Sequence, residues 1–359
     1  MSSDFHKEAF DEQTKLKLQL YRLYIREWLP VFMAQAEQGL DRINIFDLFC
    51  GPGSDGDGTW GSPLILLEAI SIYLRKRQTA HTAPIYIYFN DSKKWKIDAL
   101  KESVATTFGE LPRISISYSC SEYDDAFPKA MTIAEQNNSA NFLFVDQFGI
   151  SALDEMRFKE LTSLKRTDWL CFISSSTFSR FNNHPSIACK LAVEKTGKWS
   201  NIHRDVACRY RELLNSSDYY IVPFSIKKGS NVYGLIFGSG HPLGADKFLR
   251  GCWKVDPITG EANYNIDGDL KSPHGHLSFF KPTKLTVFKE KLCKKITEKE
   301  VVTNKDAYLF ALHQGIPSAE LKKILYELKK EKVVTQVPGV SYSTIFGKGK
   351  NKIVPLLVV

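Results

Sequence analysis

The chain has 359 residues, of which 43% are hydrophobic and 25% are charged, which is too long for one ordinary domain of about 100–200 residues. No run approaches the roughly 18 uncharged apolar residues of a membrane-spanning helix, and the N-terminal stretch lacks the apolar segment of a signal peptide. Seven scattered cysteines without a C-x-x-C pair favour reduced thiols. We therefore expect a globular cytoplasmic protein that does not contact a membrane.

The net charge of +8 is confined to the C-terminal part of the chain. Residues 281–359 contain 16 basic and 7 acidic residues, a net charge of +9, which leaves 32 basic and 33 acidic residues in the first 280. A neutral body with a basic appendage favours a polyanion such as nucleic acid as the partner. A lysine-rich solvated surface is the alternative.

Strands alternate with helices through most of the chain. Apolar residues at helical spacing predict a first helix over 12–38. The strands are predicted at 43–49, 85–89, 114–119, 141–146 and 169–174, and the helices between and after them at 64–77, 92–108, 122–136, 154–164, 186–195 and 205–214. Two more strands, at 219–226 and 232–239, predict a hairpin. This order predicts an α/β fold with a doubly wound, mostly parallel sheet that ends in an antiparallel hairpin.

The C-terminal part has a different pattern. Turn-forming pairs such as Asp256-Pro257 predict a linker or insert, and helices follow up to Gly315 and over 319–331. Two strands are predicted after them, at 333–337 and 342–346, which completes the element order of a winged helix. The predicted domains are a doubly wound domain with its N-terminal helix (1–255), a linker or insert (256–282) and a basic winged-helix domain (283–359).

A glycine-rich turn follows the first strand, in the sequence Asp47-Leu48-Phe49-Cys50-Gly51-Pro52-Gly53. Ligands of doubly wound sheets lie at the carboxyl ends of the strands, and glycines let the backbone approach them closely. Residues 51–56 match G-x-G-x-x-G, but a dinucleotide needs those glycines to open a helix. Here the helix begins only at Ser62-Pro63, an N-cap and first-turn pair, and Asp55 and Asp57 would repel phosphates. A tight turn without a ligand is the alternative.

S-adenosylmethionine fits this turn better than a dinucleotide, because it has no phosphate and carries cationic sulfonium and ammonium groups. It favours a carboxylate at the first strand, Asp47, and a polar or acidic residue at the second strand for the ribose, Asn90 or Asp91. Glu122, after the third strand, would meet the adenine or serve only as a first-turn acid. The predicted cofactor-binding residues are Asp47, Phe49, Gly51, Gly53, Asn90, Asp91 and Glu122.

The fourth strand delivers Asp146-Gln147-Phe148-Gly149 to the same edge of the sheet. Asp146 would supply a hydrogen-bond acceptor and Phe148 a stacking ring, so these two are the candidate catalytic residues. A helix cap and a core residue are the alternative roles. His274 and His276 have no further ligand nearby, and no metal site is predicted.

These motifs together resemble the three-Cys-motif partner family, which has a Rossmann-like class I methyltransferase fold. The resemblance covers about residues 10–250 and rests on the glycine turn, Gly61-Ser62-Pro63-Leu64, the element 146–149 and the strand 233–237. It implies S-adenosylmethionine as cofactor and a partner protein that holds three cysteines. In amino-group methyltransferases an element similar to 146–149 holds the target amine with its polar side chain and a backbone carbonyl. This chain has Gln147 where the family has proline, and Asn90 precedes the acid at the second strand.

Lysines on the second helix of the predicted winged helix and on its wing are the candidate nucleic-acid contacts. They are Lys322, Lys323, Lys329, Lys330, Lys348 and Lys350. Phosphate contacts of this kind give affinity without sequence choice, and the helix has no Arg, Asn or Gln to recognise bases. A winged helix that binds protein is the alternative.

The sequence thus supports two functions. The first is a methyltransferase that acts on DNA or RNA, which the intact glycine turn favours. The second is a non-catalytic nucleic-acid-binding subunit with the same fold in a multi-protein system such as a defence system, which Gln147 favours.

Overall fold

The structure is a computed structural model. It describes residues 9–35, 39–76, 83–136, 138–146, 153–174, 202–214, 218–228, 231–261, 283–347 and 352–356. Several sequence predictions lie outside these residues, namely Phe148, Lys348, Lys350, the helix at 186–195, the histidine pair and most of the linker.

The described strands and helices follow the predicted order closely. The strands are β1 (Arg42–Asp47), β2 (Ile85–Asn90), β3 (Ile114–Ser119), β4 (Ser139–Val145), β5 (Thr167–Ser174), β6 (Tyr220–Lys228) and β7 (Asn231–Ser239). The helices up to residue 255 are α1 (Glu12–Gln35), α2 (Ser62–Lys76), α3 (Lys94–Phe108), α4 (Tyr123–Ala134), α5 (Glu155–Ser163), α6 (Ile202–Leu213) and α7 (Pro242–Val255). None of the described helices is both long and apolar enough to cross a membrane.

The seven described strands form one sheet in the order β3-β2-β1-β4-β5-β7-β6. Strands β1 to β5 are all parallel to one another, and β7 is antiparallel to both β5 and β6. This confirms the predicted doubly wound sheet with a terminal hairpin, a Rossmann-like sheet of the class I methyltransferase type. The strand order reverses at β1, which has β2 on one side and β4 on the other, and a ligand cleft is expected at the carboxyl ends of these strands.

Helices cover both faces of the sheet because side chains alternate along each strand. On one face, α1 packs its aromatic side chains against β4, with the Tyr21 ring 4.7 Å from the Phe144 ring. On the other face, the ring of Phe158 in α5 stacks at 4.3 Å on the ring of Tyr210 in α6. The buried strand residues of β1 divide accordingly, Ile45 toward the α1 face and Phe46 toward the α5 face.

The C-terminal part contains the helices α8 (Lys284–Thr297), α9 (Asn304–His313), α10 (Ser318–Lys330) and α11 (Tyr342–Phe346). They pack along α7 and extend the hydrophobic core of the α1 face. The indole N–H of Trp253 donates to the carbonyl of Gly315 at 3.0 Å, and the backbone N–H of Ser318 donates to Asp246 at 2.8 Å.

The predicted hairpin after α10 was wrong. Residues 342–346 form the short helix α11, and residues 333–337 form no strand. The hydroxyl of Ser341 accepts the N–H of Thr344 as an N-cap, and the rings of Tyr342 and Phe346 stack at 5.1 Å one helical turn apart. These local contacts outweigh the strand preference of the tyrosine, threonine, isoleucine and phenylalanine in this segment.

A cluster of charges anchors α8 to the sheet domain. Glu261, which follows α7, receives two hydrogen bonds from Arg204 of α6, at 2.6 and 3.2 Å, and lies 3.6 Å from the ammonium of Lys284. Burial alone would raise the pKa of Glu261, but Lys284 and Arg204 lower it to about 2. The carboxylate is therefore stabilised by the folded state.

We expect Glu261→Gln to lower the free energy of unfolding at pH 7 by about 3 kcal/mol, because it leaves Arg204 and Lys284 without their carboxylate. Since the folded pKa lies below the ordinary value of 4.5, this contribution is present above pH 4.5 and is lost as the pH falls toward 2. Urea unfolding at pH 7 and pH 3 measures the difference, with the exposed Glu290→Gln as control. An equal loss in both variants, or a loss that persists unchanged at pH 3, would contradict this assignment.

Candidate functional site

Three aspartates lie where β1, β2 and β4 end. Asp47 is the last residue of β1, Asp91 follows β2 and Asp146 follows β4. Asp47 and Asp91 are buried, and the side chain of Asp146 is 20% exposed. Because the three strands are parallel neighbours, their carboxyl ends form one acidic edge, which we call the acidic edge (Asp47, Asp91 and Asp146).

Asp47 is held by the start of α2. The hydroxyl of Ser62 donates to its carboxylate at 2.6 Å, and the N–H of Phe49 donates at 3.3 Å. Burial raises the pKa of Asp47 to about 7, partly offset by the Ser62 hydrogen bond, and the nearby charge of Asp146 raises it further. The predicted helix start is correct to within two residues, but the Ser62 hydroxyl, predicted as the N-cap, donates to Asp47.

The glycine turn has a conformation that requires glycine. Gly51 and Gly53 have φ angles of 63° and 95°, and a Cβ at Gly53 would lie 2.9 Å from the Leu100 side chain. The turn continues as a small hairpin organised by Asp55, whose carboxylate accepts backbone N–H groups from Phe10, Asp57 and Thr59. As predicted, α2 begins only after this hairpin, so the glycines do not aim a helix N-terminus at a phosphate.

The structure assigns different roles to the two candidates at the end of β2. The amide of Asn90 donates to the carbonyls of Leu48 and Ser121 and accepts the N–H of Ser121, so it joins three loops. The carboxylate of Asp91 accepts the N–H of Gly51 at 3.3 Å and lies 3.8 Å from the Lys96 ammonium. Asp91 therefore contacts the glycine turn, whereas Asn90 has its hydrogen-bonding capacity used by the fold.

An aromatic pair lies beside the glycine turn. The half-buried ring of Phe49 stacks on Tyr123 with 5.1 Å between centroids, and the guanidinium of Arg157 lies 5.0 Å from the Tyr123 ring. Glu122 precedes Tyr123 as the N-cap of α4, is exposed and makes no side-chain capping bond. Tyr123 is buried, so Phe49 is the more exposed ring of the pair.

Sequence reasoning missed Lys17, which makes an ion pair with Asp146. The side chain of Lys17 is only 7% exposed, and its ammonium lies 4.7 Å from the centre of the Phe172 ring in β5. The available signal was a lysine on an apolar helix face, since Lys17 precedes the buried Tyr21 and Tyr24 by four and seven residues.

The described lysines of α10 lie on its exposed side. Lys322, Lys329 and Lys330 are exposed and make no ion pair with the described residues, whereas Lys323 pairs with Glu320 at 2.6 Å. Tyr326, which is 51% exposed, lies one turn from Lys322 and from Lys329 and Lys330. We call these four side chains the α10 basic face (Lys322, Tyr326, Lys329 and Lys330). No metal-binding cluster occurs among the residues that the structure describes.

Comparisons with known proteins give no match in sequence and weak matches in structure. No protein-family model matches the chain, and a search of curated proteins gives no significant match. A SAM-dependent methyltransferase from Agrobacterium tumefaciens is 10% identical, with 59% of each chain covered and a TM-score of 0.32. The O-methyltransferase TomG from Streptomyces achromogenes is 14% identical, with 66% of this chain and 92% of that chain covered and a TM-score of 0.31. The fold assignment therefore rests on the strand order and not on these matches.

We expect Asp47→Asn to become more stable relative to the wild type as the pH rises from 4 to 7. The folded wild type retains a proton on Asp47 over this interval, whereas the unfolded chain releases it near its ordinary pKa of 3.8, so wild-type stability falls. The amide does not titrate, and the relative gain should reach about 2–4 kcal/mol and level off above pH 7. Denaturant unfolding across this pH range measures it, with the exposed Asp125→Asn as control. A gain that does not depend on pH would contradict the raised pKa.

Proposed function

We propose that the chain is an S-adenosylmethionine-dependent methyltransferase that acts on nucleic acid. The observation that carries this proposal is the acidic edge beside a glycine turn that has no phosphate-binding helix N-terminus. A ligand with two cationic groups and no phosphate complements such a site, because burial of carboxylates is costly unless a cation or hydrogen-bond donors offset it.

The residues present fit this cofactor. Asp91 would accept the ribose hydroxyls, and the Phe49–Tyr123 pair would lie against the adenine. Asp47 would face the ammonium group, whose charge would lower the raised pKa of Asp47. When bound, S-adenosylmethionine supplies a methyl group for an in-line displacement, so the chain's contribution would be alignment of the acceptor and exclusion of water.

The methyl acceptor would lie against Asp146, on the side away from the cofactor. In the methyltransferases that this chain resembles, an element similar to 146–149 holds an amine, and Asp146 with Phe148 would do so here. Membership of the three-Cys-motif partner family, with its partner protein, is part of the same proposal.

The C-terminal part supports a winged-helix domain over 283–359 as the nucleic-acid-binding unit. Helices α8, α9 and α10 follow each other in the required order. Between α8 and α9 the chain pairs with its last described segment, since Leu356 N donates to Val302 O at 2.7 Å and Asn304 N to Val354 O at 3.0 Å. That short ladder is the strand pairing expected at the base of a wing, although α11 replaces the predicted strand within it.

The α10 basic face supports contact with nucleic acid. Its lysines, which make no ion pair within the described part of the chain, would hold phosphates electrostatically, and its exposed tyrosine would offer a ring for stacking. Two acids of α10 pair with other lysines, Glu320 with Lys323 at 2.6 Å and Glu327 with Lys289 of α8 at 3.0 Å. The positive charge of the α10 basic face is therefore available to a partner.

A non-catalytic nucleic-acid-binding subunit is the second candidate. The ion pair between Lys17 and Asp146 favours it, because a cation already occupies one oxygen of the proposed target-binding carboxylate. Calorimetry with S-adenosylhomocysteine and a methyl-transfer assay on DNA and RNA separate the two functions.

We expect the chain to bind S-adenosylhomocysteine and Asp91→Asn to bind it about 10-fold more weakly or worse, because a hydrogen bond to a charged group is worth about 1.5–3 kcal/mol. Isothermal titration calorimetry measures both affinities, with Asp98→Asn, an exposed acid on α3, as the matched control. No binding by the wild type would contradict the cofactor assignment, and wild-type affinity in Asp91→Asn would contradict the ribose contact.

Replacement of Lys322, Lys329 and Lys330 by alanine should weaken nucleic-acid binding about 10-fold or more at low salt. It should also reduce the slope of log K against log salt concentration by about 2–3, because each of the three lost phosphate contacts removes about 0.7–0.9 of a released counterion. Fluorescence anisotropy with DNA and RNA of mixed sequence measures both quantities. The control replaces three exposed lysines of the sheet domain, Lys129, Lys159 and Lys165, and so makes the same change in net charge. Equal losses in the two variants would contradict the proposed surface.

A further inference from the structure

The ion pair between Lys17 and Asp146 lies on the acceptor side of the proposed site. Val145 pairs with Cys171 in the sheet, so Asp146, which follows β4, and Phe172 of β5 are neighbours. The Lys17 ammonium contacts both, at Asp146 by an ion pair and above the Phe172 ring at 4.7 Å. The glycine turn and Asp91 lie on the opposite side of β4, toward β1 and β2.

Within the described part of the chain, each member of the ion pair has hydrogen-bonding capacity that is not used. The Oδ1 atom of Asp146 is buried and has no hydrogen-bond partner among the described residues. The Lys17 ammonium has three N–H donors, and Asp146 Oδ2 is its one acceptor within the described part of the chain. Buried polar groups are normally paired, and each one left unpaired costs about 1–3 kcal/mol. Among the described residues the pair therefore lacks one donor, for Asp146, and at least one acceptor, for Lys17, at adjacent positions.

We propose that Lys17 and Asp146 together recognise the base that is methylated, through its exocyclic amine and the ring nitrogen beside it. Asp146 Oδ1 would accept an N–H of the amine, and Lys17 would donate to the unprotonated ring nitrogen. On their Watson–Crick edges adenine and cytosine present this donor beside this acceptor. Guanine has an N–H beside its amine, and thymine and uracil have no amine. This proposal rests on the proposed function, because it makes the recognised amine the methyl acceptor.

Lys17 also determines which carboxylate oxygen is available. With Oδ2 held by the ammonium, Oδ1 is the oxygen left for the amine. In that position the amine nitrogen forms the new bond to the methyl carbon as the methyl–sulfur bond breaks. The bonding pair stays on sulfur, and one amine proton leaves to water. Lys17 takes no proton in this step, so its role is to bind and orient the base.

A single-atom change in the base tests the contact of Lys17. One probe is a single-stranded thymidine tract with one central adenine, and the other has 1-deazaadenine there, which keeps the amine but replaces the ring nitrogen with C–H. Both probes are made as DNA and also as RNA, in which uridine replaces thymidine. Anisotropy at saturating S-adenosylhomocysteine gives their affinities without turnover. We expect the wild type to bind the deaza probe about 10-fold more weakly, within the range for one bidentate base contact.

Lys17→Met should bind the two probes equally, and its loss should be confined to the adenine probe. Lys15→Met, two residues away on the exposed side of α1, should discriminate as the wild type does. Because Lys17→Met leaves Asp146 unpaired, the double variant Lys17→Met/Asp146→Asn removes both charges and provides a second protein without discrimination. Unchanged affinity for S-adenosylhomocysteine shows that each variant is folded.

The outcomes separate this inference from the proposed function. Equal binding of the two probes by the wild type, or discrimination retained by both Lys17 variants, overturns the inference and leaves Lys17 as a structural ion-pair partner. If the chain binds S-adenosylhomocysteine and methylates nucleic acid in those cases, the proposed function stands. If the wild type methylates only guanine-containing strands, the inference also fails.

Discussion

The cost of burying carboxylates at one edge of a parallel sheet is the constraint on which the rest of the site depends. Parallel strands bring their carboxyl ends together, so the acidic edge concentrates three carboxyl groups where little water reaches them. The chain offsets this cost differently at each position. Asp47 accepts a hydrogen bond from a hydroxyl and has a raised pKa. Asp91 accepts hydrogen bonds from backbone N–H groups and lies near Lys96, and Asp146 makes an ion pair with the buried ammonium of Lys17.

These three solutions leave different chemistry available to a ligand. The hydrogen bonds of Asp47 come from the start of α2 and from the glycine turn, which are fixed by the fold. A nearby cation would therefore act on Asp47 by favouring loss of its proton. The contact between Asp91 and Gly51 is long at 3.3 Å, which leaves the carboxylate able to accept stronger donors. Asp146 has one oxygen without a partner among the described residues. A cationic nucleoside on one side of β4 and an amine on the other would together satisfy the edge.

Much of the fold could be predicted because the signals were local. Buried strands alternating with helices predicted the sheet, and Ser62-Pro63 predicted the start of α2. The prediction of a hairpin after α10 was wrong for a local reason as well, since an N-cap and an aromatic pair one turn apart outweigh strand propensity at 342–346. The contact of Lys17 with Asp146 joins residues 129 positions apart, and no short-range pattern reveals such a pair. The different hydrogen bonds of Asn90 and Asp91 likewise depend on which loops surround each side chain.

The position of the C-terminal helices links the two halves of the proposed function. Glu261 makes an ion pair with Lys284 of α8, Asp246 accepts a hydrogen bond from Ser318 at the start of α10, and the helices share the core of the α1 face. The α10 basic face is thus carried on the same packed body as the acidic edge, and α1 contributes both to that core and, through Lys17, to the acceptor side.

A crystal structure of the chain with S-adenosylhomocysteine tests the central claim most directly. We predict the ribose hydroxyls within hydrogen-bond distance of Asp91, the adenine against Phe49 and Tyr123, and the amino group facing Asp47. A ligand bound elsewhere, or a glycine turn whose surroundings are filled by the chain's own side chains with no room for a purine, would contradict it.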